Sequence, residues 1–243
     1  GLGAAGHPLL GAAVELPDSD GVVFTGRLSL ATHAWLADHA VMGSVLLPGT
    51  AFVELAVRAG ELVGCEVLED LALEAPLVLP ELGGVQLRLS VGAPDGGGRR
   101  ALVLHSRVEG AGEDASWVRH AAGVLAERGA EPAFDLVVWP PVGAEPVAVD
   151  GLYEGLADAG FGYGPVFQGL RSVWRRGGDV FAEVRLPESA EAEAGAFGVH
   201  PALLDAALHA LGVSGTDSAD GEAKLPFSWQ GVTLHAVGAS EVR

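Results

Sequence analysis

The chain has 243 residues, 49% of them hydrophobic, which is enough to form one large core or two small ones. Its formal net charge of −18 argues against nucleic acid as a partner, because phosphate backbones would repel it. The single cysteine, Cys65, excludes an internal disulfide and a cysteine-based zinc site. The sequence shows neither a signal-peptide pattern nor an apolar run of roughly 18 residues, so we expect a cytoplasmic protein with no membrane contact.

Strand patterns dominate the chain. Apolar or alternating runs, separated by turns rich in glycine and proline, predict strands at residues 22–30, 85–91, 101–108, 117–125, 180–186 and 232–236.

Two segments, residues 50–62 and 201–211, have the composition of buried helices. In the first, Glu54 and Arg58 have the i,i+4 spacing of a favourable ion pair on an otherwise apolar cylinder. The second is apolar except for Asp205 and His209. A helix that is apolar nearly all round must be enclosed by other elements.

Each predicted helix follows a strand pattern and a proline, which suggests two similar modules. We predict that each module is a curved antiparallel sheet wrapped around one helix, giving an α+β fold. The modules are expected at residues 1–130 and 150–243, joined by a proline-rich linker at residues 131–149.

His39 is the first candidate for chemistry, because it begins a mostly apolar run that ends at Pro48. Burial disfavours the charged form of an imidazole, and a neutral imidazole is a competent base near pH 7. On composition alone, a histidine satisfied within the core is an alternative.

Asp205 is the second candidate, because an isolated ionised carboxylate is very unfavourable in an apolar helix. The group should therefore be neutral or hydrogen-bonded, and a carboxyl kept protonated near pH 7 can act as a general acid. His209 lies one turn later on the same face and could anchor it. A buried structural Asp–His pair explains the pattern equally well.

Two further features are open to both a functional and a structural interpretation. Residues 160–168 hold Tyr163 in a turn rich in glycine and proline, which either presents its hydroxyl to a cleft or only marks a turn. The densest basic cluster is a possible docking point for an acidic carrier protein, or a set of solvated charges; it comprises Arg171, Arg175 and Arg176.

The order and spacing of these motifs resemble the dehydratase domain of modular type I polyketide synthases. The family's His-x3-Gly-x4-Pro motif is matched by His39, Gly43 and Pro48. Its Asp-x3-Gln/His motif is matched by Asp205 and His209.

Two more motifs extend the resemblance over essentially the whole chain. The Gly-Tyr-x-Tyr-Gly-Pro-x-Phe motif is matched at residues 160–167, including Tyr163 and Pro165, with Phe161 in place of the first tyrosine. The Leu-Pro-Phe-x-Trp motif is matched at residues 225–229.

The resemblance implies a double hotdog fold with the active site where the two halves meet. It also implies the reaction, in which a β-hydroxyacyl thioester on an acyl carrier protein loses water to give an α,β-unsaturated thioester. No metal or organic cofactor is expected, since the substrate is held on the carrier's phosphopantetheine arm. The expected partners are the carrier protein, neighbouring synthase domains and a second copy of the domain.

The resemblance assigns roles residue by residue. His39 would remove the α-proton, Asp205 would protonate the departing hydroxyl, and His209 would orient Asp205. In a variant of this scheme His39 acts as base and then as acid. The remaining matched positions would position substrate or shape its tunnel; they are Tyr163, Gly43, Pro48 and Pro165.

Two alternatives share this fold. One is a double-bond isomerase or cyclase using the same His–Asp pair, and the other is an inactive structural domain of the synthase, against which the intact His39 and Asp205 argue. Such domains usually continue some tens of residues past the last motif, so we expect the second hotdog to be incomplete at its C-terminal end.

Overall fold

The computed structural model describes residues 2–112, 115–128, 137–213 and 226–243. Its largest element is an eight-stranded antiparallel sheet. The strands are β1 (Leu2–His7), β2 (Leu10–Leu16), β3 (Gly21–Leu28), β6 (Val67–Leu73), β7 (Val85–Pro94), β8 (Arg100–Val108), β9 (Val118–Ala126) and β14 (Ser228–Thr233). Their order across the sheet is β1-β2-β3-β7-β8-β9-β6-β14.

This sheet encloses the first long helix, α1 (Gly49–Leu62). The alternation in β7 shows why, because Val85, Leu87, Leu89 and Val91 are all buried while the residues between them are partly or fully exposed. The apolar face of the sheet therefore covers a helix whose own residues from Thr50 to Ala56 are all buried.

A second sheet has four strands and packs on a second long helix, α4 (Pro201–Val213). Its strands are β10 (Glu145–Val147), β12 (Leu170–Arg176), β13 (Asp179–Arg185) and β15 (Glu241–Val242), in that order across the sheet. Two shorter helices belong to the same part of the chain, α2 (Leu152–Asp158) and α3 (Glu188–Ala194).

The two halves are joined through their helices and through a small third sheet. Helices α1 and α4 contact each other, and the Thr50 hydroxyl of α1 donates to the Pro201 carbonyl of α4 at 2.9 Å. The third sheet is formed by β4 (His39–Val41), β5 (Ser44–Val45) and β11 (Phe161–Tyr163), with β4 in the middle.

Most long predicted elements are present, and one is misplaced. The strand expected at residues 232–236 lies instead at Ser228–Thr233. Thr233 pairs with Val67, the first residue of β6, so the ladder between these two strands ends there.

The sheets do not follow the boundaries predicted for the two modules and the linker. Residues 145–147 of the predicted linker form β10, which pairs with β12, and β14 from the C-terminal half completes the first sheet. Residues 131–136 of that linker, and Leu225 of the Leu-Pro-Phe-x-Trp motif, lie outside the described residues.

The predicted Glu54–Arg58 pair is wrong. Arg58 instead donates to Glu61 at 2.9 Å and to the Ala5 carbonyl at 3.0 Å. The Glu54 side chain is 3% exposed, and a buried carboxylate must be fully hydrogen-bonded.

Distant parts of the chain supply the partners of Glu54. Its carboxylate accepts the backbone N–H groups of Gly198 and Val199 at 2.7 and 2.9 Å, and lies 3.1 Å from His7 Nε2. Glu54 therefore fixes the segment that leads into α4. No helix in the described parts of the chain is long and apolar enough to cross a bilayer.

Candidate active site

His39 is the first residue of β4, directly after a 3₁₀ turn at Ala34–Asp38. Its ring is buried, and Nδ1 lies 2.9 Å from the Leu46 carbonyl oxygen. A carbonyl can only accept, so Nδ1 carries the hydrogen and Nε2 presents a free lone pair. Burial lowers the pKa of His39, an effect that the nearby Asp205 partly offsets.

Asp205 approaches His39 from the other half of the fold. It lies on α4, is 6% exposed, and its Oδ2 is 4.0 Å from His39 Nε2. The packing of α1 against α4 brings these two groups together from distant parts of the chain. A neutral base and a carboxyl group thus face each other in a site that excludes most water.

His209 lies one turn after Asp205 on the same helix face, as its spacing predicts. Its Nε2 is 3.3 Å from Asp205 Oδ2, and both atoms are buried without a hydrogen bond of good geometry among the described residues. On the other side of the ring, Nδ1 is 3.4 Å from the Tyr153 hydroxyl.

Tyr163 covers the site from β11. In the register of the third sheet it pairs with His39, and its ring centroid lies 5.6 Å from that of His39 and 4.3 Å from that of His209. Phe161 is buried and stacks on Tyr163 with the rings 8° from parallel. Burial, together with the Asp205 charge, raises the pKa of the Tyr163 phenol well above its usual value.

The remaining predicted positions lie around this group. Pro48 is buried and immediately precedes α1. Gly43 lies at the exposed tip of the β4–β5 hairpin with φ +77°, a conformation that favours glycine. Pro165 is exposed and begins the 3₁₀ turn at Pro165–Phe167 that follows Tyr163.

The structure also identifies two residues whose position the motifs do not reveal. Asp38 accepts the Val166 N–H at its carboxylate, at 2.9 Å, and the Gly164 N–H at its backbone carbonyl, at 2.8 Å. It therefore ties the Tyr163 turn to the segment that carries His39. The other is Tyr153, on α2, which contacts His209.

The arrangement places a proton acceptor beside a carboxyl group. Within the described ranges, no group of three or more histidine, cysteine, aspartate or glutamate side chains is placed to hold a metal ion. The lone pair of His39 Nε2 and the carboxyl of Asp205 are the groups positioned to accept and to donate a proton.

Two family models match most of the chain. One, described as the polyketide synthase dehydratase domain, matches residues 7–107, and the other, described as the polyketide synthase dehydratase N-terminal domain, matches residues 131–243. The chain is 63% identical to polyketide synthase GfsA from Streptomyces halstedii over 246 aligned residues, which cover 100% of this chain and 3% of GfsA. The chain thus spans only a small part of this relative.

Solved structures agree with the sequence comparison. The dehydratase domain from the terminal module of the rifamycin polyketide synthase is 53% identical with a TM-score of 0.89, over 99% of this chain and 86% of that one. The CurK dehydratase of the curacin polyketide synthase is 28% identical to this chain, over 93% of this chain and 84% of that one. Two of its solved structures are variants described as inactive, one His→Phe (TM-score 0.79) and one Asp→Asn (TM-score 0.80). These matches confirm the predicted double hotdog, and the chain belongs to the dehydratase domains of polyketide synthases.

Proposed function

We propose that the domain eliminates water from a β-hydroxyacyl thioester on an acyl carrier protein and yields the α,β-unsaturated thioester. The observation that supports this most directly is the 4.0 Å approach of His39 Nε2 to Asp205 Oδ2 in a buried site between the two halves. The CurK variants, inactive after changes at one histidine and one aspartate, involve the same two residue types.

His39 is proposed as the base. The thioester carbonyl makes the α-proton acidic, and His39 Nε2 accepts that proton as the C–H bond breaks. The Leu46 carbonyl, 2.9 Å from Nδ1, holds the ring in the required tautomer and stabilises the imidazolium that forms. The electron pair of the broken C–H bond becomes the new C=C bond.

Asp205 is proposed as the acid. It donates its proton to the β-hydroxyl while the C–O bond breaks, so that the leaving group departs as water. The products on the enzyme are an imidazolium at His39 and a carboxylate at Asp205. Return of the proton from His39 to Asp205 restores both groups, so the reaction needs no co-reactant.

The other matched positions are proposed to hold the substrate. Tyr163 keeps its phenolic proton, because its pKa is raised, and donates a hydrogen bond to the substrate hydroxyl or to Asp205. Pro48 and Gly43 fix the segment from β4 to α1, while Pro165 fixes the turn that carries Tyr163.

We propose that the domain works without a cofactor, docks a carrier protein and acts as a cytoplasmic dimer. His39 and Asp205 account for both proton movements of the proposed elimination, so the proposal includes no metal or organic cofactor. We propose that an acidic carrier protein docks near Arg171, which is exposed on β12. The positive charge of Arg171 partly offsets the effect of burial on the pKa of the Tyr153 phenol. We further propose a cytoplasmic homodimer within the synthase, formed through β1, which is one of the two edge strands of the large sheet.

Mass spectrometry of the carrier-bound substrate tests the function. We expect the domain to remove the mass of one water from one epimer of a β-hydroxyacyl carrier protein and to leave a saturated acyl carrier protein unchanged. Double-bond isomerisation or cyclisation alone leaves the mass of its substrate unchanged, so the same readout separates the alternatives. Absence of water loss from both epimers would contradict the proposal.

A further inference from the structure

We infer that Tyr153 sets the tautomer of His209 and, through His209, orients the carboxyl of Asp205. Tyr153 touches neither His39 nor the reacting atoms in this scheme, so it is a positioning residue. The inference rests on the proposed function only in the role given to Asp205, and the tautomer itself can be measured without activity.

The hydrogen bonds of Tyr153 indicate where its phenolic hydrogen points. The Leu170 N–H donates to the Tyr153 hydroxyl at 3.1 Å, so the phenol oxygen is the acceptor in that bond and the phenolic hydrogen needs an acceptor of its own. The partner within reach is His209 Nδ1, at 3.4 Å. The two rings meet edge to face, with centroids 5.6 Å apart and planes at 81°.

In a neutral imidazole one ring nitrogen accepts a hydrogen bond while the other bears the hydrogen, so the partner of one nitrogen determines the state of the other. If Nδ1 accepts from Tyr153, the hydrogen is on Nε2, which faces Asp205 Oδ2 at 3.3 Å. In the opposite tautomer the phenolic hydrogen would have no acceptor in the described part of the chain. Burial raises the pKa of Tyr153 to about 12, so this hydrogen is present at neutral pH.

A hydrogen on His209 Nε2 fixes the orientation of the Asp205 carboxyl group. His209 Nε2 and Asp205 Oδ2 are both buried and lack another partner among the described residues, and a small rotation closes the bond between them. With Oδ2 accepting from His209, the proton that Asp205 delivers is carried on Oδ1.

The family motif supplies a control, since it allows either glutamine or histidine at position 209. A glutamine amide nitrogen carries its hydrogens in every state, so it can donate to Asp205 without help from a phenol. The inference therefore predicts that Tyr153 matters for orienting Asp205 only when residue 209 is histidine.

A double-mutant cycle tests this dependence. The rate of water loss is measured for the wild type, Tyr153→Phe, His209→Gln and the double variant, together with their melting temperatures. We expect Tyr153→Phe to lower kcat about tenfold in the wild-type background, as for the loss of one buried hydrogen bond, and less than about twofold in the His209→Gln background. Equal losses in both backgrounds would overturn the inference, because they would show a purely structural role through Leu170.

Nitrogen NMR tests the tautomer directly and needs no turnover. In ¹⁵N-labelled protein we expect a bare Nδ1 and a protonated Nε2 for His209, assigned by loss of its signals in His209→Gln. A protonated Nδ1 would overturn the inference even if all variants are active. If the wild type fails to remove water, the proposed function fails, while the NMR result still decides the role of Tyr153.

Discussion

Tyr163 pairs directly with His39 across the antiparallel β11–β4 ladder. His39 from one half and the tyrosine turn of the other are therefore carried on a single small sheet, beside Asp205 on α4. Because side chains alternate along a strand, a slip of one residue in this ladder would turn Tyr163 away from the site. The placement of Tyr163 beside His39 thus depends on three short strands, while Asp205 is placed by helix α4.

Replacing His39 tests the base. His39→Ala removes the lone pair that accepts the α-proton, and we expect the rate of water loss to fall by at least about a hundredfold. Circular dichroism and thermal unfolding should show that the variant remains folded. A folded His39→Ala protein that retains most of its activity would refute this role.

The pH dependence tests the state of the same ring. Burial lowers the pKa of His39 below its usual value of 6.5, so the ring stays unprotonated at and above that pH. As pH falls through the lowered pKa, the base becomes protonated and kcat/KM should fall. We therefore expect the acid limb of a kcat/KM profile below pH 6.5. An acid limb centred above that value would contradict the assignment.

Replacing Asp205 tests the acid. Asp205→Asn preserves the size of the side chain but removes the transferable proton, so we expect about a hundredfold or greater loss of kcat. The measurement is the single-turnover rate of enoyl formation, with binding of the carrier protein measured separately. Activity close to that of the wild type would instead favour a scheme in which His39 serves as base and then as acid.

The long strands and helices could be predicted because their side chains are periodic. In β7 the buried residues Val85, Leu87, Leu89 and Val91 alternate over several positions, which is a clear signal. Strands β4 and β11 have three residues each, too few for any period to show. Their pairing is decided by contacts between distant segments, which local sequence does not report.

The candidate site could be predicted in part for a similar reason. His39, Asp205, Tyr163 and His209 stand out as polar groups in apolar or glycine-rich surroundings, and the structure brings them together. The position of Tyr153 depends instead on a backbone amide, which no side-chain pattern marks. The same holds for Glu54, whose partners at Gly198 and Val199 override its local i,i+4 spacing.

Asp38 offers a test of how the Tyr163 turn is held. Its carboxylate accepts the Val166 N–H, and a Cβ placed on Gly164 would overlap it, so the turn is packed tightly against this side chain. We expect Asp38→Ala to lower kcat about three- to tenfold, because it removes a hydrogen bond to a charged group and loosens Tyr163.

The matched control is Asp38→Asn, which keeps an oxygen able to accept from Val166. We expect it to recover most of the kcat that Asp38→Ala loses, when both are measured with the same carrier-bound substrate. If the two variants lose kcat equally, the Val166 hydrogen bond is not what positions Tyr163.

We expect His200 to make folding sensitive to acid. Its ring is fully buried, with centroids 4.9 Å from Trp35 and 4.7 Å from Phe197, and burial lowers its pKa from 6.5 to about 4, only partly offset by Glu54. The unfolded chain therefore binds a proton here below pH 6.5, whereas the folded chain does not until about pH 4. Stability from this group is thus complete above pH 6.5 and is lost as pH falls toward 4, by about 3 kcal/mol in total.

His200→Asn isolates this effect, because asparagine can still accept the Ala202 N–H that His200 Nδ1 accepts at 3.2 Å at the start of α4. The free energy of unfolding from urea titrations is compared for the two proteins at several pH values. The loss of ring packing is independent of pH, and other titrating groups cancel in the difference. We expect the stability advantage of the wild type over the variant to shrink by about 3 kcal/mol between about pH 7 and about pH 4. Parallel curves would contradict this prediction, because they would mean that folding leaves the pKa of His200 at its unfolded value.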